Sequence, residues 1–222
     1  AESLVTADGT GRYNAILLTS ASLLSQAPDG TWDTMPAESW AAVWNYERDY
    51  GVRQSALYAS YGEGPEDLCL RAGSEGSLGS SVLPASLTPA GSQMFDYLKP
   101  GATVPLTESW VYRDTLAPDC GGQPLLTGPA GEILGVQSIA PDGRERAAFT
   151  FSSNEHLLQS DLLVYGLFQW TSRGLFLGEQ RHYLKLDVDD YFAKSALISA
   201  DGTVTDEAFQ LRAKDAYNYA QA

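Results

Sequence analysis

At 222 residues, 44% of them hydrophobic, the chain is long and apolar enough to bury a core, which excludes a disordered polypeptide. Its 28 acidic residues against 14 basic ones leave a formal charge of -14. That balance argues against nucleic acid and against an anionic membrane surface, since both need clustered Lys and Arg. The longest apolar runs, around Tyr13–Thr19 and Leu162–Phe168, fall far short of a membrane span.

In chain order, Arg12–Ser20 has a continuous apolar centre behind a Gly-rich lead, the pattern of a buried strand. A turn follows at Pro28-Asp29-Gly30. Pro36 then opens a helix at its favoured first position, with Glu38 in the first turn, and Trp40, Val43, Trp44 and Glu47 recur at helical spacing through Ala37–Tyr50. Gly51 stands where a left-handed cap ends such a helix, and Val52–Tyr58 reads as the next strand. Strand, helix and strand together predict a parallel pair with a crossover helix.

Beyond Tyr61 the pattern changes. Gly62–Ser81 reads as loop, followed by short strands at Val82–Leu87, Thr103–Arg113, Pro124–Thr127, Glu132–Ile139 and Arg144–Ser152. Turn residues at 99–101, 128–131 and 141–143 separate most of them, the pattern of antiparallel hairpins. A second helix is predicted over Glu155–Ser172, with Asn154 as N-cap and Gly174 just past its end, burying Leu158, Leu162, Tyr165, Leu167 and Trp170. From Arg181 an apolar strand pattern ends in Asp187-Val188-Asp189-Asp190. After a turn at Ala200-Asp201-Gly202, a final helix is predicted from Thr205, with Asp206 and Glu207 in its first turn; running to Ala222 without a stop signal, it suggests a chain cut inside a longer protein. The expected fold is α/β, a mixed sheet with helices plus an antiparallel, hairpin-rich portion.

Few residues carry an obvious chemistry. Cys69 and Cys120 are too few for a cysteine metal site; they form either a bridge closing a loop of ~50 residues or two separate thiols. A bridge, together with low charge and abundant Gly and Tyr, suits an exported protein. The Asp187–Asp190 cluster is either a solvated acidic turn or a set of strand-end carboxylates for a cation or proton transfer. His156 and His182 stand far apart, and Ser60 lacks the Gly-x-Ser-x-Gly spacing of a nucleophile elbow. Five Trp, twelve Tyr and seven Phe give a surface that suits carbohydrate, because sugar C–H faces stack on aromatic rings while carboxylates and amides bind hydroxyls. Tyr58, Tyr61, Trp110 and Tyr112 are the candidate platform, and the negative field favours a polysaccharide bearing free amines.

The segment Gly143-Arg144-Glu145, then Asn154, then LLVYGLFQWTSRGLFLGEQRHYLKLDVDDYF resembles the secreted polysaccharide deacetylases related to the fungal galactosaminogalactan deacetylases. The resemblance implies an accessory, carbohydrate-binding region leading into a NodB-like, metal-dependent deacetylase domain. By it Asp189 is the general base and Asp190 a ligand to a divalent metal such as zinc; the two further histidine ligands of such domains are not among these residues. The front, RYNAILLTS to ALYASYG, is also similar to amidotransferase-like (ThuA-like) flavodoxin folds, without the cysteine that amidotransferases carry. The implied organisation is an accessory α/β domain over 1–180 with a β-rich insertion, then the first strand and helix of a deacetylase domain over 181–222. The metal belongs to the parent enzyme and is not expected to bind this chain tightly. Three functions stay open: an extracellular module that recognises amino-sugar polymers, an active N-acetyl hydrolase using Asp189 and Asp190, and a purely structural domain.

Overall fold

The computed structural model describes residues 4–62, 64–175, 195–209 and 213–221, which fall into two units, Ala1–Leu177 and Gly178–Ala222. The first unit opens with β1 (Ala15–Leu18), a small pair β2 (Ser25–Gln26) and β3 (Trp32–Asp33), α1 (Ala37–Tyr50) and β4 (Arg53–Ala56). Next come β5 (Leu70–Ser77), β6 (Leu83–Leu87), α2 (Pro89–Met94), β7 (Thr103–Leu106) and β8 (Trp110–Leu116). The unit ends with β9 (Gln123–Thr127), β10 (Ile133–Ile139), β11 (Glu145–Phe149) and α3 (Leu158–Thr171).

The predicted strand–helix–strand unit forms. β1 pairs in parallel with β4, from Ala15 opposite Arg53 to Leu18 opposite Ala56, and α1 makes the crossover. Pro36 caps the helix from just outside rather than occupying its first position, its carbonyl accepting from the Ser39 and Trp40 N–H groups. Gly51 terminates it at φ 64°, a left-handed conformation that glycine adopts without steric cost. β11 adds to β4 in parallel, and the sheet continues antiparallel through β10, β9, β6 and β7. β8, itself paired to β5, branches from β10 at Ile133. The protein is therefore a mixed α/β fold with the expected hairpin-rich portion.

Alternation along β11 shows how the layers divide, since successive strand residues face opposite sides. Ala147 and Phe149 join a core with Phe95, Leu125, Leu163 and Leu167, beneath α2 and α3. Ala148 joins a second core with Leu18, Trp40, Ala56 and Val136, beneath α1. α2 presses so close that a Cβ on Gly91 would overlap the Leu125 carbonyl of β9. At the amino-terminal strand ends, Arg53 grips Glu145 through Nε and Nη2, both at 3.0 Å, and donates from Nη1 to the Trp170 carbonyl at 2.9 Å.

Several sequence expectations are corrected. Gly62–Ser81 is not all loop: Leu70–Ser77 is strand β5, held by backbone pairing to β8, and its mostly exposed, Gly-containing sequence lacks the apolar alternation that marks half-buried strands. Thr103–Arg113 is two strands, broken at Thr107–Ser109. The helix α2 is unforeseen; Thr88 caps it by accepting from the Gly91 N–H at 3.0 Å. α3 begins at Leu158, and Asn154 instead accepts from the His156 N–H at 2.9 Å in the preceding turn. Its buried stripe is Gln159, Leu163, Gly166, Leu167 and Thr171, whereas Leu158 is 54% exposed.

In the second unit β12 (Ser195–Ile198) and β13 (Val204–Phe209) form an antiparallel hairpin around the predicted turn, followed by α4 (Ala213–Gln221). The expected final helix forms, but from Ala213 rather than from Thr205. Thr205 pairs with Leu197, so the register set by the tight turn prevails over the acidic helix-start signal. Asp187, Asp189, Asp190 and His182 lie outside the described residues.

Candidate functional site

Where neighbouring parallel strands end, their loops diverge and leave a crevice beyond the carboxyl ends, the usual ligand position in open α/β sheets. Such a crevice exists here, a cleft of about 610 Å³ on the α3 side of the sheet. Thr19 enters it just after β1, Leu57 and Tyr58 just after β4, and Phe151 to Glu155 after β11. The first turns of α3 close it with Gln159, Ser160, Asp161 and Val164. Its walls are thus largely apolar, its polar groups are hydroxyls, amides and carboxylates, and none of its lining residues is Lys, Arg or His.

Of the four platform residues Tyr58 lines this cleft, while Tyr112 and Trp110 adjoin it without lining it. The Tyr58 and Tyr112 rings lie 5.5 Å apart between centroids, tilted by 32°. Trp110 and Tyr112 share one face of β8, with Val111 buried on the other. Beyond β11 the chain runs antiparallel to the start of β8: the Trp110 N–H donates to Ser152 Oγ, the Ser152 N–H to the Trp110 carbonyl, both at 2.9 Å, and the Tyr112 N–H to the Thr150 carbonyl at 2.8 Å. Trp110, 41% exposed, therefore stands beside the cleft segment Ser152. Tyr61 is not part of the cleft lining. Its N–H donates to Asp114 Oδ2 at 3.2 Å, and the Arg71 guanidinium lies 5.4 Å from its ring centroid.

The loop carrying Tyr61 is anchored by a buried ionic cluster on the opposite, α1 side. Glu66 accepts from Arg144 Nη1 at 2.6 Å, Arg146 Nη1 at 3.3 Å and Gln54 Nε2 at 2.8 Å. Arg144 Nη1 also donates to Glu47, whose pKa burial pushes up to about 7 against the hydrogen bond from Arg144. Beyond Leu68 the chain is stapled by the Cys69–Cys120 disulfide, so the bridge reading of the two cysteines holds.

Gln159 is the site residue that periodicity missed. It is 1% exposed, and its Nε2 donates to the Thr107 carbonyl at 2.8 Å and to Ser109 Oγ at 3.1 Å. Its Oε1 is buried without a donor. The i, i+4 row Gln159–Leu163–Leu167–Thr171 was the available signal, but a row that begins and ends on polar residues does not read as a buried face. His156 precedes α3 with its side chain exposed, Nε2 lying 3.5 Å from Glu155 Oε1. Ser60 lies after β4, its Oγ 3.4 Å from the Tyr61 carbonyl.

Among the described residues no three His, Cys, Asp or Glu side chains come together as a metal site. The described part of the chain therefore offers no ready ligand set for a catalytic divalent cation. No helix among them is long and apolar enough to cross a membrane.

A comparison of folds matches the whole chain to the crystal structure of Agd3, described as a novel carbohydrate deacetylase, with a TM-score of 0.77 at 19% sequence identity. The alignment covers 100% of this chain and 33% of that one, so the chain spans about a third of its neighbour's length. The two share a fold. No protein-family model and no curated protein sequence matches the chain.

Proposed function

We propose that this chain is a non-catalytic, carbohydrate-recognition region of an extracellular metal-dependent polysaccharide deacetylase, and that its glycan site is the cleft at the carboxyl ends of β1, β4 and β11. The observation that carries this reading is Tyr58 in the wall of a cleft of sugar-accommodating size, with its ring against that of Tyr112 just outside the lining. Apolar ring faces stack on the C–H faces of a pyranose, while Ser152, Ser153, Asn154 and Ser160 offer donors and acceptors to its hydroxyls. The fold shared with a carbohydrate deacetylase over the full chain supports the same reading, as does the disulfide, which suits an oxidising compartment. The amidotransferase-like ancestry of the first domain belongs to this proposal, as do the NodB-like character of the second unit and the roles of Asp189 as base and Asp190 as ligand in the parent enzyme.

Affinity electrophoresis through gels containing partly deacetylated amino-sugar polymer, neutral glucan or no polysaccharide tests it. Retardation by the amino-sugar polymer, lost in Tyr58→Ala, is expected. Equal mobility in all three gels would leave the chain a structural domain. Acetate release from an N-acetylated oligomer on adding zinc would instead make it a hydrolase.

A further inference from the structure

The cleft's charged groups are of one sign. Glu155 and Asp161 bring carboxylates to it, and no lining residue is basic. Among the described residues Asp161 makes no ion pair, and Glu155 has only the exposed, non-lining His156 nearby. The buried Gln159 adds an independent sign of the same polarity. Its amide nitrogen is committed to Thr107 and Ser109, so the negative end of the side-chain dipole remains in the wall without a donor. That oxygen has no accessible surface, so it bears on a ligand through its dipole and not through a hydrogen bond.

Resting on the carbohydrate reading above, we infer that the cleft selects the free-amine form of a sugar unit over its N-acetylated form, with Asp161, Glu155 and Gln159 as the specificity-determining residues. A glycosyl ammonium brings three N–H donors and a positive charge to a site whose charged lining groups are all carboxylates. An acetamido group brings one N–H, no charge and a carbonyl oxygen that meets like polarity. The Glu155 and Asp161 carboxylates are exposed and screened by solvent, so their attraction for the cation is modest and salt-dependent. Tyr58 and Tyr112 supply the ring contact that a simple alkylammonium cannot use.

Isothermal titration of the 222-residue chain with a glucosamine tetramer, its fully N-acetylated counterpart, a neutral glucan tetramer and n-butylammonium reads this directly. The free amine is expected to bind about fivefold or more tightly than the acetylated tetramer, with the margin shrinking as salt rises. The double variant Glu155→Gln/Asp161→Asn should erase that margin, by weakening the free-amine tetramer more than the acetylated one. Equal affinity for the two tetramers, a margin that survives in the double variant, or butylammonium matching the glucosamine tetramer overturns the inference while the carbohydrate reading stands. Absence of binding by every sugar overturns the carbohydrate reading itself.

Discussion

The Arg144 guanidinium donates from Nη1 to Glu47 Oε2 at 2.9 Å, with only 7% of one side chain and 1% of the other exposed. The contact joins α1 to the start of β11, and through Glu66 it also holds the loop after β4. Removing a partner from such a pair leaves buried charge uncompensated. Arg144→Ala is therefore expected to cost about 3–5 kcal/mol, read as a lower urea midpoint.

The same cluster sets a pH dependence. Burial raises the folded-state pKa of Glu47 to about 7, above its ordinary 4.5, so between these values the folded state binds a proton that the unfolded chain has released. Its contribution to stability is full below about 4.5 and declines as pH rises toward about 7. Glu145 runs the other way: the Arg53 hydrogen bonds lower its pKa, so its contribution is present above the ordinary value and lost on acidification. Urea midpoints across the weakly acidic to neutral range should fall in the wild type, and Glu47→Gln should flatten that fall. A slope unchanged in the variant would assign the dependence to another group.

The Cys69–Cys120 bridge ties residues 51 positions apart. On the chain-entropy account, Cys69→Ser/Cys120→Ser should lose roughly 4 kcal/mol, and a reductant should lower the melting temperature of the wild type but not of the variant.

Gly91 tests the packing of α2. A methyl group there meets the Leu125 backbone carbonyl, which cannot move aside as a flexible side chain can. Gly91→Ala is expected to destabilise by about 1–3 kcal/mol or more, despite the better helix propensity of alanine. Differential scanning calorimetry measures it, and a neutral result would mean that α2 shifts freely on the sheet.

Tyr58 and Tyr61 separate the cleft from the wider aromatic surface. Tyr58→Ala should weaken glycan binding by about tenfold or more, the range of a buried aromatic anchor, while Tyr61→Ala should leave it nearly unchanged. Loss in both variants would extend the site across Arg71 and Asp114.

The helix of Ala37–Tyr50, its Gly51 end, the hairpin turns and the parallel β1–β4 pair were legible because each rests on signals a few residues long: a proline and glycine at the two ends, an apolar run, a Pro-Asp-Gly turn. β5 escaped because an exposed edge strand needs only a partner's backbone, and β8 supplies it from some forty residues away. α3 was found but rotated, since the apolar count along Leu158–Trp170 favours one face and the packing against the sheet another. Tyr58, Trp110 and Tyr112 could be nominated from their residue types and their places on or beside predicted strands. That Tyr58 meets Tyr112, and that Gln159, Glu155 and Asp161 close the cleft Tyr58 lines, depended on β11 entering the sheet beside β4. The chain's local physics thus settled its charge, its turns and most of its elements. Pairing between distant strands decided the cleft, because only that pairing determines which loops emerge side by side.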